Sequence, residues 1–228
     1  METNPQKTAQ FLARVRDEIT KRGIVDVLRK GIKAYPASLI MFYMTPSVNN
    51  PAAAALYAKN IFSVTRQLHF SPDATKLSLD LCIFVNGLPV ITFELKNQLT
   101  KQNVDDAQVK FCTRLQGKES WFLPFNKGYK DGAGNPPNPD GLMTDYLWKQ
   151  ILTKDMLSRI IENYATLVEE KDEETGKTRY KQIFPRYHQL TAVESLLADV
   201  KKNGVGNRYL IQHSAGSGKS NSIAWLAH

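Results

Sequence analysis

Cysteine is almost missing from this chain: Cys82 and Cys112 are the two among 228 residues. Two thiols cannot build a disulfide framework or a cysteine-rich zinc site. Histidine is as sparse, and His69, His188, His213 and His228 have no metal-ligand spacing, so each reads as a structural or surface residue. Long apolar runs are absent too. None approaches the roughly 20 residues needed to span a bilayer, and the opening METNPQKTAQ has no apolar signal core. The expectation is a cytoplasmic protein with no membrane partner. No internal repeat and no low-complexity tract is found.

What the chain does have is ordinary globular composition, with 42% hydrophobic and 23% charged residues and a mean hydropathy of -0.36. Disorder, collagen and coiled coil are thereby excluded. Thirty Lys and Arg against twenty-two Asp and Glu leave a formal charge of +8, which favours a polyanionic partner. Thr8 to Arg22 places Phe11, Leu12, Val15 and Ile19 on one helical face with Gly23 as its stop, and predicts a packing helix. Asn50-Pro51 opens an alanine-rich helix running to Ala58, and Ile61 to Phe70 then switches to a β-branched, aromatic strand. Seven of the fourteen residues from Gly128 to Gly141 are Gly or Pro, a surface loop or connection. Glu169 to Lys181 carries nine charges in thirteen positions and reads as a solvated loop or hairpin tip. Trp121 to Phe125 is dense enough in apolar residues to be a buried strand.

Chemistry enters first at Asp80 and Glu94-Leu95-Lys96. Leu77 to Val85 and Val90 to Lys96 read as strands about Asn86-Gly87, a strong hairpin signal. Alternation puts Glu94 and Lys96 on one face. Two carboxylates can hold Mg²⁺ through hard oxygens, and a lysine beside them can orient or help activate water against a scissile phosphate. The competing reading is a salt-bridged strand end. Parity tests the nuclease reading: a strict two-residue turn with a perfect ladder sets Asp80 opposite Phe93, whereas one extra residue in the connection sets it opposite Glu94.

A second constellation is Ser214-Ala215-Gly216-Ser217-Gly218-Lys219-Ser220, expected after a strand at Tyr209 to Gln212 and before a helix at Asn221 to His228. In such a loop the glycines let backbone N–H groups approach phosphates, Lys219 reaches the terminal phosphates, and Ser220 can ligate Mg²⁺. The full pattern has glycine five places before Gly218, where this chain has His213. A helix over Gln189 to Lys202 precedes the loop. The sequence continues only eight residues past Ser220, with no downstream acidic motif, so a complete ATPase is not expected here.

These stretches, SLDLCIFVNGLPVITFELKNQ and QHSAGSGKSNSIAWLAH, together with NIFSVTRQLHFS, FLPFNKG, GAGNPPNPDG and IFPRYHQL, resemble the restriction (HsdR) subunit of type I restriction-modification enzymes. The resemblance implies an α/β architecture: a PD-(D/E)xK nuclease-like domain over residues 1–126, a connection over 127–175, and from 176 to 228 the start of a superfamily 2 helicase-like, RecA-like P-loop domain. It implies Mg²⁺-dependent cleavage of double-stranded DNA at Asp80, Glu94 and Lys96, coupled to ATP-driven translocation. Asp80, Glu94 and Ser220 would be metal ligands. Gly216, Ser217, Gly218, Lys219 and Ser220 would hold ATP, with Gln189 reading adenine, and the partners would be modification (methyltransferase) and specificity subunits. One departure is that Gln108 is followed four places on by Cys112 where the family's Q-x-x-x-Y motif has tyrosine. A non-catalytic DNA-binding or assembly module, and a repair helicase with an accessory nuclease domain, are the alternatives.

Overall fold

A computed structural model describes residues 5–71, 73–93, 109–111, 125–132, 134–171, 176 and 178–227. The chain is mixed α/β with small antiparallel sheets and divides into two compact units, residues 1–122 with 166–182, and residues 123–165 with 183–228.

In the first unit, α1 (Pro5–Arg22) and α2 (Ile24–Lys30) meet at Gly23, whose φ of 80° lets the backbone turn sharply between them. Of the apolar face expected to pack along α1, only Ile19 is buried; Phe11 and Leu12 are exposed, so the helix is anchored by its last turn. The core runs instead through α2, where Ile24, Val27 and Leu28 are buried. Asp26 is buried among them, and its charge is met by Arg22 and by Lys30 at 2.6 Å.

A small hairpin of β1 (Ile32–Ala34) and β2 (Ala37–Leu39) follows, then α3 (Pro51–Tyr57). The Asn50 side chain caps α3, accepting from the Ala53 N–H at 3.0 Å with Pro51 at the first helical position, as the sequence predicts.

The main sheet is a four-stranded antiparallel meander of β3 (Phe62–His69), β4 (Ser78–Val85), β5 (Leu88–Phe93) and β6 (Val109–Phe111). Cys82, Ile83, Val85, Val90, Ile91 and Phe93 are buried in it. Two parts of the charged segment at 169–181 fall in a separate two-stranded sheet of β7 (Thr166–Lys171) and β8 (Thr178–Ile183).

The second unit is helical. α4 (Tyr129–Gly132) is a single turn within the Gly/Pro-rich loop. Wide π-type turns at Leu147–Ile151 and Ile160–Tyr164 bracket α5 (Lys154–Arg159), and two helices close the unit, α6 (Tyr187–Asn203) and α7 (Lys219–Ala227). Tyr146, Leu147, Leu157, Ile160, Tyr164, Leu190, Val193 and Trp225 form its core. Phe125 stacks edge-on against Tyr187, and Tyr146 against the same ring; Trp121 to Pro124 lie outside the described residues.

One expected strand is corrected. Tyr209 to Gln212 is irregular, not β. A strand needs a ladder partner for its N–H and C=O groups, and among the described residues none lies beside it: Leu210 is 92% exposed. Among the described residues no helix is long and apolar enough to cross a membrane.

Candidate functional sites on the hairpin and the glycine-rich loop

The β4–β5 hairpin combines a tight turn with a bulge. Asn86-Gly87 does form a two-residue turn, pairing Val85 with Leu88, with φ of 49° and 81° at its two corners. These are the left-handed conformations a type I′ turn requires. Asn86 is further locked by its side chain, which accepts from the Ile61 N–H at 2.7 Å and donates to the Met41 carbonyl at 2.8 Å and to Asn60 Oδ1 at 3.0 Å.

The extra residue lies beyond the turn. Phe84 pairs with Pro89 but Ile83 pairs with Ile91, so Val90 is the bulged residue and the ladder proceeds one step out of the turn's register, through Cys82↔Thr92 to Leu81↔Phe93. The proline at 89 and the bulge belong together, since proline has no N–H to give a regular ladder. The described ladder stops one residue short of Asp80. Glu94 and Lys96 lie outside the described residues.

Asp80 shares its face of β4 with Cys82. Across on β3 the ladder pairs Arg66 with Leu81 and Leu68 with Leu79 and skips the position between, where Gln67 has φ of 48°. A left-handed conformation at a non-glycine residue costs about 1–3 kcal/mol. The Gln67 amide then donates to Asp80 Oδ1 at 3.3 Å while its oxygen accepts from the Ser78 hydroxyl at 3.0 Å. Nothing in the sequence marks Gln67, because glutamine in a strand carries no signal of positive φ. Among the described residues there is no group of three or more His, Cys, Asp or Glu that could hold a metal.

In the second unit the glycine-rich loop runs straight into α7, which begins at Lys219. Gly216 and Gly218 have φ of 72° and 81°. A side chain at Gly218 would also run into the Gln189 amide. Gln189 is buried and fully engaged with backbone: its oxygen accepts from the Arg186 N–H at 2.8 Å, and its nitrogen donates to the carbonyls of Ser217 at 3.1 Å and Gly218 at 2.8 Å. In this arrangement it ties the start of α6 to the loop. Lys219 folds back, donating to the carbonyls of His213 at 3.2 Å and Ser214 at 3.0 Å. Ser220 is exposed in the first turn of α7.

His213, in the place of the pattern's first glycine, packs its ring edge-on against His188 at 4.9 Å, and His188 lies 3.4 Å from the Ser217 carbonyl. Partial burial holds the His188 imidazole below its ordinary range, with Ser217 opposing the shift and His213 and Arg186 adding to it. Ser217 Oγ, Ser222 Oγ and His213 Nδ1 are buried and find no hydrogen-bond partner among the described residues.

Comparison with known proteins gives two matches. Residues 46–127 match the family described as type I restriction enzyme R protein N terminus. A protein of Methanocaldococcus jannaschii described as "Putative type I restriction enzyme MjaVIIIP endonuclease subunit" is 24% identical over 229 residues, 91% of this chain and 21% of the relative. The chain thus spans about a fifth of that relative's length. No solved structure matches.

Proposed function

We propose that the chain, which over residues 46–127 resembles the N terminus of type I restriction R proteins, carries the DNA-cleaving site of such an enzyme at Asp80, Glu94 and Lys96 and a nucleotide loop at Gly216 to Ser220. The observation that carries the nuclease reading is the bulge at Val90. A perfect ladder from the Asn86-Gly87 turn would oppose Asp80 with Phe93; the bulge instead pairs Phe93 with Leu81. Continued by one pair, that register would set Glu94 across from Asp80.

The donor chemistry fits Mg²⁺, which binds through carboxylate oxygens and would supply Lewis acidity toward a phosphodiester and a more acidic water. The chain's own residues have separate tasks. Asp80 and Glu94 would hold the cation. Lys96, two residues beyond Glu94 in sequence, would orient the attacking water and offset charge on the phosphate. The +8 balance of the chain favours the approach of DNA.

For the nucleotide loop the support is its entry into α7, the positive φ at Gly216 and Gly218, and a buried Ser217 hydroxyl without a partner among the described residues. The first turn of α7 offers N–H groups to an anion. Lys219 would exchange the carbonyls of His213 and Ser214 for phosphate oxygens. With Gln189 spent on the loop backbone, adenine reading by that residue requires its amide to release Ser217 or Gly218. DNA translocation and the modification and specificity subunits are the further partners in function that this reading entails.

The deciding experiment is plasmid cleavage by the R protein assembled with its modification and specificity subunits. Asp80→Ala and Glu94→Ala should each abolish cleavage, by more than about 1,000-fold, with ATP hydrolysis retained, because the residues that bind metal and nucleotide are on separate units. Cleavage by Glu94→Ala at the wild-type rate removes the assignment.

A further inference from the structure

Gln67 is the one residue of β3 whose backbone φ is positive, and it stands where the ladder to β4 omits the pair it would make with Asp80. Its neighbours on both sides keep regular register, Arg66 with Leu81 and Leu68 with Leu79. The irregularity is therefore confined to the one position opposite the carboxylate. Both ends of the Gln67 amide are then used across the strand: the nitrogen donates to Asp80 Oδ1 at 3.3 Å, and the oxygen accepts from Ser78 Oγ at 3.0 Å. Ser78 and Asp80 are two apart on β4 and share a face, so one side chain bridges both. Glutamine suits this because its amide donates and accepts at once.

From this geometry we propose that Gln67 is a positioning residue for Asp80, holding one carboxylate oxygen so that the group is presented to a divalent cation in a single orientation. The proposal rests on the nuclease reading above. Groups that orient a metal ligand without touching the metal commonly change affinity by about 10- to 100-fold when removed. The backbone conformation gives the test its control: glycine adopts positive φ at no steric cost, so Gln67→Gly deletes the amide while suiting the local backbone.

The experiment is Mn²⁺ binding to this chain, without nucleotide or DNA, followed by the paramagnetic resonance signal of the free ion, alongside thermal unfolding. Wild type should show a site that Asp80→Ala abolishes. Gln67→Gly should unfold at or above the wild-type temperature yet bind Mn²⁺ about tenfold more weakly. Ser78→Ala, which frees the far end of the amide, should fall between them. If Asp80→Ala loses the ion and Gln67→Gly binds within twofold of wild type, the positioning role is overturned and the nuclease reading stands. An ion that binds Asp80→Ala as well as wild type, or no Asp80-dependent ion in wild type, overturns both. Should Gln67→Gly and Gln67→Asn both fail to fold, Gln67 is a structural residue and the proposal is lost.

Discussion

The Asn86-Gly87 hairpin and the Tyr209–Gln212 segment are two short stretches that sequence patterning assigns to β structure, and only the first forms it. The hairpin's strand partner is its own continuation two residues away, so the ladder closes over a small loop at little entropic cost. The Asn86 side chain adds bonds to residues 25 to 45 positions distant. Tyr209–Gln212 has the apolar composition of a strand but nothing beside it among the described residues. Propensity for β structure is a fit to a half-buried pleated surface. Where no surface is present, Leu210 lies open and Tyr209 bonds instead to Asp199 of α6 at 2.6 Å.

The contrast is sharpest at the glycine-rich loop at 214–220, which is complete in its turn and helix but lacks the flanking strand. Lys219→Ala should reduce binding of a fluorescent ATP analogue by about 100-fold, the scale of losing a charged contact to phosphate. It should leave unfolding of the hairpin unit unchanged. Retention of wild-type affinity would separate the loop from nucleotide altogether and leave its closure onto His213 and Ser214 as a packing feature.

How much was legible follows the same division. The capped helix at Asn50, the strand ending near His69, the turn at Asn86-Gly87 and the helix after Lys219 are local signals, each written in a few adjacent residues. The need for one extra residue in the hairpin was also legible, from parity. It falls at Val90, beside Pro89, at the end of the stretch from Val85 where parity calls for an irregular connection, while Asn86-Gly87 itself keeps the tight turn. Gln67 and the engagement of Gln189 by the Ser217 and Gly218 carbonyls were not legible. They are set by what another strand or loop brings alongside, and no periodicity encodes that. Phe11 and Leu12 show the converse, a helical stripe whose partner surface is missing among the described residues.

A stability comparison sharpens the difference between the two β-like stretches. Asn86→Ala loses three side-chain hydrogen bonds and places alanine at φ of 49°. At about 1 kcal/mol for each bond and for the left-handed backbone, and allowing for partial compensation by water, the cost is about 3 kcal/mol. Leu210→Ala, an apolar truncation at an exposed site, should cost less than about 0.5 kcal/mol. Urea unfolding of the two variants measures both. Equal losses would mean that Tyr209–Gln212 is packed in solution.

A further effect expected in the helical unit separates its packing from the loop's chemistry. Tyr146 is buried, donates to the Phe125 carbonyl at 2.6 Å and stacks on Tyr187. Burial pushes its phenol up to about 12, with a bond to Asn135 opposing and Tyr187 adding. The unfolded phenol titrates near 10, so the folded state holds its proton more tightly. The stability this supplies is fully present below pH about 10 and is lost as pH rises through about 12. Tyr146→Phe should therefore cost about 1 kcal/mol at neutral pH, from the Phe125 carbonyl losing its donor. It should also remove part of the alkaline decline between pH about 10 and 12. Unfolding followed at pH 8 and pH 11 measures the two terms separately. A variant whose stability falls between those pH values as steeply as wild type would place the titrating group elsewhere, and the neutral-pH loss alone would then measure the hydrogen bond to Phe125.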